Sequence, residues 1–207
     1  MKINEQKIVV RAAKVLSDVF RPSYFPLLGF VIMFLFTYLS QLPWWYKLSF
    51  LAIAYVVIIL LPMFGIFLYR KAYGLALQDL LFHRHRLVPY ILHIICYGLM
   101  LKLLHDFHSP AFMSSIIVIS LLVQCVCTVI TLWWKISLHS AGVGAIIGAL
   151  IAYSSVFHFN PVWWLCLAIL VSGLVNSSRM LLRQHTLWQV LGGTLVGLLC
   201  GLIGLFI

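Results

Sequence analysis

Negative charge is scarce in this chain: 207 residues carry four carboxylates, Glu5, Asp18, Asp79 and Asp106. Only 9% of the residues are charged at all, against roughly a quarter in an average soluble domain. Two classes fall away at once. So little charge cannot clothe a soluble globule in polar surface, and so few carboxylates leave a Mg²⁺ or carboxylate-type Zn²⁺ centre without ligands. The period-two alternation of a transmembrane β-barrel is also missing. The start, "MKINEQKIVVRAAKVLSDVF", has no early apolar core. Residues 1–21 therefore read as a basic amphipathic segment rather than a cleaved signal peptide.

What is abundant is apolar sequence, at 64% of the chain. Runs near the length of a bilayer-spanning helix recur from end to end, leaving no room for a separate soluble domain. The expected fold is all-α: a polytopic helical membrane protein of about six to seven helices, with residues 1–207 forming one integral membrane domain. The candidate spans are roughly 23–41, 46–69, 87–105, 111–134, 138–157, 161–182 and 187–207. Pro62 and Gly65 interrupt the second. The cysteines Cys96, Cys125, Cys127, Cys166 and Cys200 all fall inside apolar runs and read as packing residues, not as disulfides or metal ligands.

Against four acids stand 14 lysines and arginines, a formal net charge of +10. They are spread over several links rather than gathered in one patch, so nucleic acid is not the expected partner. With seven spans, the basic segments around Lys7–Arg21, Arg70–Arg86, Lys135 and Arg179–Arg183 share one side of the bilayer. By the positive-inside rule that side is cytoplasmic.

Three polar clusters meet there: "HRHRLVP" (83–89), "KISLH" (135–139) and "SRMLLRQHTLWQV" (178–190). Together they offer Arg84, Arg86, Lys135, Ser137, His139, Ser178, Arg179 and His185. Guanidinium groups and a hydroxyl suit the non-bridging oxygens of a phosphate. Of two histidines, one can attack phosphorus while the other protonates the leaving oxygen. Gln189, one helical turn beyond His185, can reach its ring. Asp79 is the acid expected nearest this face. His93, His105, His108 and His158 read as interfacial or packing residues.

These clusters resemble the signature motifs of the type 2 phosphatidic acid phosphatase superfamily, in a divergent bacterial branch. Its third motif, S-R-x5-H-x3-D, is matched by Ser178, Arg179 and His185, with Gln189 replacing the aspartate. Its second, P-S-G-H, keeps Ser137 and His139, with Ile136 and Leu138 at the other places. Its first, K-x6-R-P, keeps Pro89, while Val88 and Leu81 stand where the arginine and lysine would be. The likeness covers about residues 80–200.

The resemblance implies hydrolysis of a membrane lipid phosphate monoester or diphosphate through a phosphohistidine, without metal or cofactor. It casts His185 as nucleophile, His139 as general acid and Gln189 as the residue orienting His185. Arg179, Ser137, Ser178, Lys135 and one of Arg84 and Arg86 would hold the phosphate. It also places the protein in the bacterial inner membrane, with a lipid phosphate as substrate. The alternative is a lipid-phosphate-binding protein or transporter of the same fold that does not turn over.

Overall fold

The computed structural model describes residues 2–74 and 83–206, and the side chains of residues 7–74 and 87–206. Among the described residues the regular structure is helical, without a strand. The helices are α1 (Lys2–Val19), α2 (Phe25–Phe36), α3 (Trp44–Tyr55), α4 (Leu61–Tyr73), α5 (His83–Asp106), α6 (Ala111–Thr131), α7 (Leu138–Phe157), α8 (Val162–Leu181) and α9 (Leu187–Ile203). Five spans are long and apolar enough to cross a membrane: Trp44–Tyr73, Leu87–Asp106, Ala111–Thr131, Leu138–Phe157 and Val162–Leu181. α1 from Lys7 and the stretch Pro22–Phe36 pass the same criterion only as a pair bent by 41°, and α9 is apolar but 17 residues long. The chain is an all-α, multi-pass membrane bundle.

Local chemistry explains the breaks. The expected first span, 23–41, is not one helix. α2 stops at Phe36 because Thr37 is extended (φ −108°, ψ 179°). The Thr37 hydroxyl donates to the Met33 carbonyl at 2.7 Å and accepts from the Leu39 N–H at 3.3 Å. The Thr37 N–H still closes the last turn on Met33 at 3.1 Å, and its side chain then caps the 3₁₀ turn that follows. α3 and α4 instead run on as one 30-residue rod through a π turn, Val56–Leu60. Pro62 has no N–H for the Ile58 carbonyl, and the widened turn before it absorbs the mismatch.

Lys47, in the first turn of α3, is buried. Its ammonium donates to the Ser40 carbonyl at 2.6 Å and sits 4.9 Å from the centre of the Trp44 ring. His93 donates from its ring to the Pro89 carbonyl one turn back, at 2.7 Å, which satisfies a polar group at membrane depth.

Two cores share α6. Phe30, Phe50, Ile58, Met100, Leu104 and Ile117 join α2, α3, the π turn, α5 and α6. Ile119, Cys127, Ile136, Ala141, Ala145 and Cys200 join α6, α7 and α9. Outward faces, such as Leu167, Leu170 and Leu174 of α8 and Leu195 and Ile203 of α9, are exposed and apolar, as lipid-facing residues are.

α7 and α9 make the closest pair. Gly193, Gly197 and Gly201 recur every fourth residue on α9, against Ala141 and Ala145 of α7, while Gly144 and Gly148 of α7 meet the Thr194 and Leu198 backbone. A Cβ added at Gly197 would collide with the Ala141 carbonyl, and one at Gly144 with the Thr194 carbonyl. Only hydrogens fit. The small residues of span 138–157 would be expected to pack on the neighbour carrying Arg179. The structure corrects that partner to α9, and it seats Gly142 against the Phe25 ring of α2. Contacts advance in step along both helices, so α7 and α9 run parallel, with α8 returning between them in sequence.

Candidate functional site

At the end of the bundle where α7 and α9 begin and α8 ends, five of the expected residues converge: Ser137, His139, Arg179, His185 and Gln189. Ser137 is the N-cap of α7, in extended conformation (φ −93°, ψ 107°), and is fully buried. Its hydroxyl accepts from the Ser140 hydroxyl at 2.8 Å and the Ser140 N–H at 3.4 Å, while its own N–H donates to the Gln189 carbonyl at 3.4 Å. A serine that starts the helix thereby also ties α7 to α9. His139, two residues on, is half-buried at the mouth of this end.

α8 delivers Arg179 in its last turn and closes with Arg183 in the left-handed region at φ 52°. The Arg183 N–H donates to the Met180 carbonyl and the Gln184 N–H to the Arg179 carbonyl, so the chain turns sharply towards α9. His185 follows at once. Thr186, Leu187, Trp188 and Gln189 then form a capping box: the Gln189 side-chain oxygen takes the Thr186 N–H at 3.1 Å.

The same Gln189 oxygen lies 3.3 Å from His185 Nδ1. An oxygen that already accepts from Thr186 can only accept again, so Nδ1 carries a proton, and in the neutral ring it is Nε2 that has the lone pair. His139 is defined in the opposite sense. Its Nε2 lies 3.2 Å from the Ser17 carbonyl, another pure acceptor, so Nε2 carries a proton there. Arg179 meets the same residue, donating from Nη1 to the Ser17 hydroxyl at 2.6 Å. Arg179, His185 and Arg21 are the charged or ionisable neighbours of His139, and Asp18 lies within electrostatic reach of it too.

Other expected members stand apart. Ser178 is buried, and its hydroxyl donates to the Leu174 carbonyl of its own helix at 2.7 Å. Lys135 is exposed on the link between α6 and α7. The side chains of Arg84 and Arg86 lie outside the described residues, although α5 starts beside them at His83, and Asp79 lies outside them altogether. The acid near the site is Asp18, paired with Arg21 at 2.9 Å. Sequence reading missed it, as it missed Ser17, because both belong to α1, more than a hundred residues from the second and third motifs. The Thr-x-x-Gln capping box was legible locally and accounts for part of what Gln189 does.

Among the described residues no group of three histidine, cysteine or acidic side chains could hold a metal ion. At the opposite end of the bundle a cavity of about 930 Å³ opens between the ends of α5, α7 and α9 and the start of α6. His105, His108, Ser109 and Ser115 line it beside Phe112 and Phe157, and it includes none of the expected site residues. Comparison with family models, curated proteins and solved structures finds no match to this chain.

Proposed function

We propose that the protein hydrolyses a membrane lipid phosphate, with His185 attacking phosphorus and His139 protonating the leaving alcohol. What supports this reading is the geometry of the two rings: His185 faces Gln189 through Nδ1, which makes Nε2 the attacking atom of the neutral ring, His139 faces the Ser17 carbonyl through Nε2, and Arg179 lies beside them. In the first step the His185 Nε2–P bond forms and the P–O bond to the lipid alcohol breaks, the alkoxide taking a proton from the His139 imidazolium and leaving that ring neutral. In the second, water attacks phosphorus, His139 accepts its proton, and inorganic phosphate leaves with His185 restored. Arg179 neutralises the phosphate oxygens through both steps.

No carboxylate cage is needed for this chemistry. Turnover of phosphatidic acid or phosphatidylglycerol phosphate in detergent micelles is expected to persist in excess EDTA. Orthovanadate, which takes up the five-coordinate geometry of the transition state, is expected to inhibit it. Loss of activity on chelation, restored by Mg²⁺ or Zn²⁺, removes the mechanism.

We place the protein in a bacterial inner membrane with the site on the cytoplasmic face, on the strength of Lys7, Arg11, Lys14, Arg70, Lys71 and Arg183 at that end. A cysteine added after residue 207 is expected to react with an impermeant maleimide in intact cells, and one at position 75 is not. The reverse pattern inverts the orientation. The second reading, a lipid-phosphate-binding protein without turnover, is favoured by one feature: Gln189 orients His185 without supplying the negative charge that would stabilise its imidazolium. Phosphate release from the lipid panel separates the two.

A further inference from the structure

Ser17 offers two oxygens to the two side chains best suited to hold a phosphate. Its hydroxyl takes the Arg179 Nη1–H at 2.6 Å, and its carbonyl faces His139 Nε2 at 3.2 Å. Ser17 is only 5% exposed, in the last turn of a helix that otherwise clings by a narrow seam. Between residues 7 and 15 of α1 every side chain is exposed except Ala13, which faces the bundle as Ser17 does one turn later.

The outward surface of α1 is divided. Lys7, Arg11 and Lys14 fall in one sector with Asp18, while Ile8, Val15 and Val19 fall in the next, at helical spacing. Such a helix is stable lying in the headgroup layer whether or not its seam is closed. Lifting the seam exposes little apolar surface. An element of this kind sits at the low end of local stability.

We propose that α1 is a built-in cover for the site: Ser17 occupies the place of two phosphate oxygens on Arg179 and His139, and an oxyanion must displace it to bind. This rests on the reading of Arg179 and His139 as phosphate-holding groups. α1 and the phosphate compete for the same donors. The apparent affinity for an anion is therefore reduced by the fraction of molecules in which the seam is closed. A lipid phosphate, whose acyl chains are anchored beside α1, has a high local concentration and displaces Ser17 more readily than free phosphate does.

The test is binding of inorganic phosphate to the full-length protein in detergent, by titration calorimetry, for the parent and three variants. Ser17→Ala removes one of the two oxygens and is expected to tighten phosphate binding by roughly tenfold, the weight of a hydrogen bond to a charged group. Ala13→Trp wedges the seam open, displaces both oxygens, and is expected to tighten binding at least as much. Arg179→Ala is expected to abolish binding. Phosphate that binds the parent in an Arg179-dependent way, with the same affinity in Ser17→Ala and Ala13→Trp, overturns the cover and leaves the site intact. Weaker binding in Ser17→Ala also overturns it, making Ser17 a ligand of the phosphate. Binding unaffected by Arg179→Ala, or absent from all four proteins, sinks the phosphate site and the cover with it.

Discussion

His185→Ala is expected to lower lipid phosphate hydrolysis by at least about a thousandfold, because it removes the atom that forms the bond to phosphorus. Phosphate binding is expected to change little, since Arg179 and His139 supply the contacts that hold the anion. The separation of turnover from binding is what distinguishes a nucleophile from an interfacial histidine. Gln189 refines the test. Its side-chain oxygen serves both the His185 ring and the cap of α9. Gln189→Ala is expected to cost about 1 kcal/mol of stability through the lost cap. It should also slow turnover, because a ring freed to rotate seldom presents Nε2 in line. Gln189→Glu keeps the reach, keeps the cap and adds a negative charge beside the imidazolium, so its turnover is expected to equal or exceed the parent's. A folded His185→Ala protein that hydrolyses lipid phosphates at the parent's rate removes His185 from the chemistry.

The second large effect is structural. Gly197→Val is expected to destabilise the bundle by about 3 kcal/mol or more, seen as loss of the monodisperse folded species in detergent on mild heating. The added carbon would overlap a backbone carbonyl of α7, which has no rotamer in which to retreat, so the helices themselves must separate. Gly173→Ala provides the contrast. A Cβ there meets nothing within 4 Å, and alanine is the better helix former, so that variant is expected to be as stable as the parent. Equal stability of Gly197→Val and Gly173→Ala would show that α7 and α9 are not in contact at that depth.

Hydropathy alone placed most of the helices, because a bilayer-length apolar run has few other solutions. The expected span 138–157 coincides with α7, and 161–182 differs from α8 by one residue at each end. The stretch 23–41 misled because apolarity reports on solvent, whereas the break at Thr37 depends on one hydroxyl bonding back to Met33. The glycines and alanines of α7 announced a close approach without naming the partner. That information sat in the four-residue repeat of Gly193, Gly197 and Gly201, which means something only when two helices are compared. The polar clusters that meet at this end were legible because each lies within one turn and its neighbouring link. Ser17 could not. Nothing in α1 distinguishes it from any serine on an amphipathic helix, and its partner Arg179 is 162 residues away.

The parallel course of α7 and α9 has an electrostatic consequence of its own. Each helix begins at the same end of the bundle, so the positive ends of two peptide dipoles lie side by side there, each equivalent to roughly half a unit charge. The opposing negative end of α8 carries Arg179 in its last turn, with Arg183 just beyond it. The field that results comes from main-chain N–H groups locked in position by glycines, and it does not titrate. The attraction for an anion at this end is therefore expected to persist when the pH is raised. A substitution that splays α7 from α9 should weaken that attraction even where every side chain of the site is left in place.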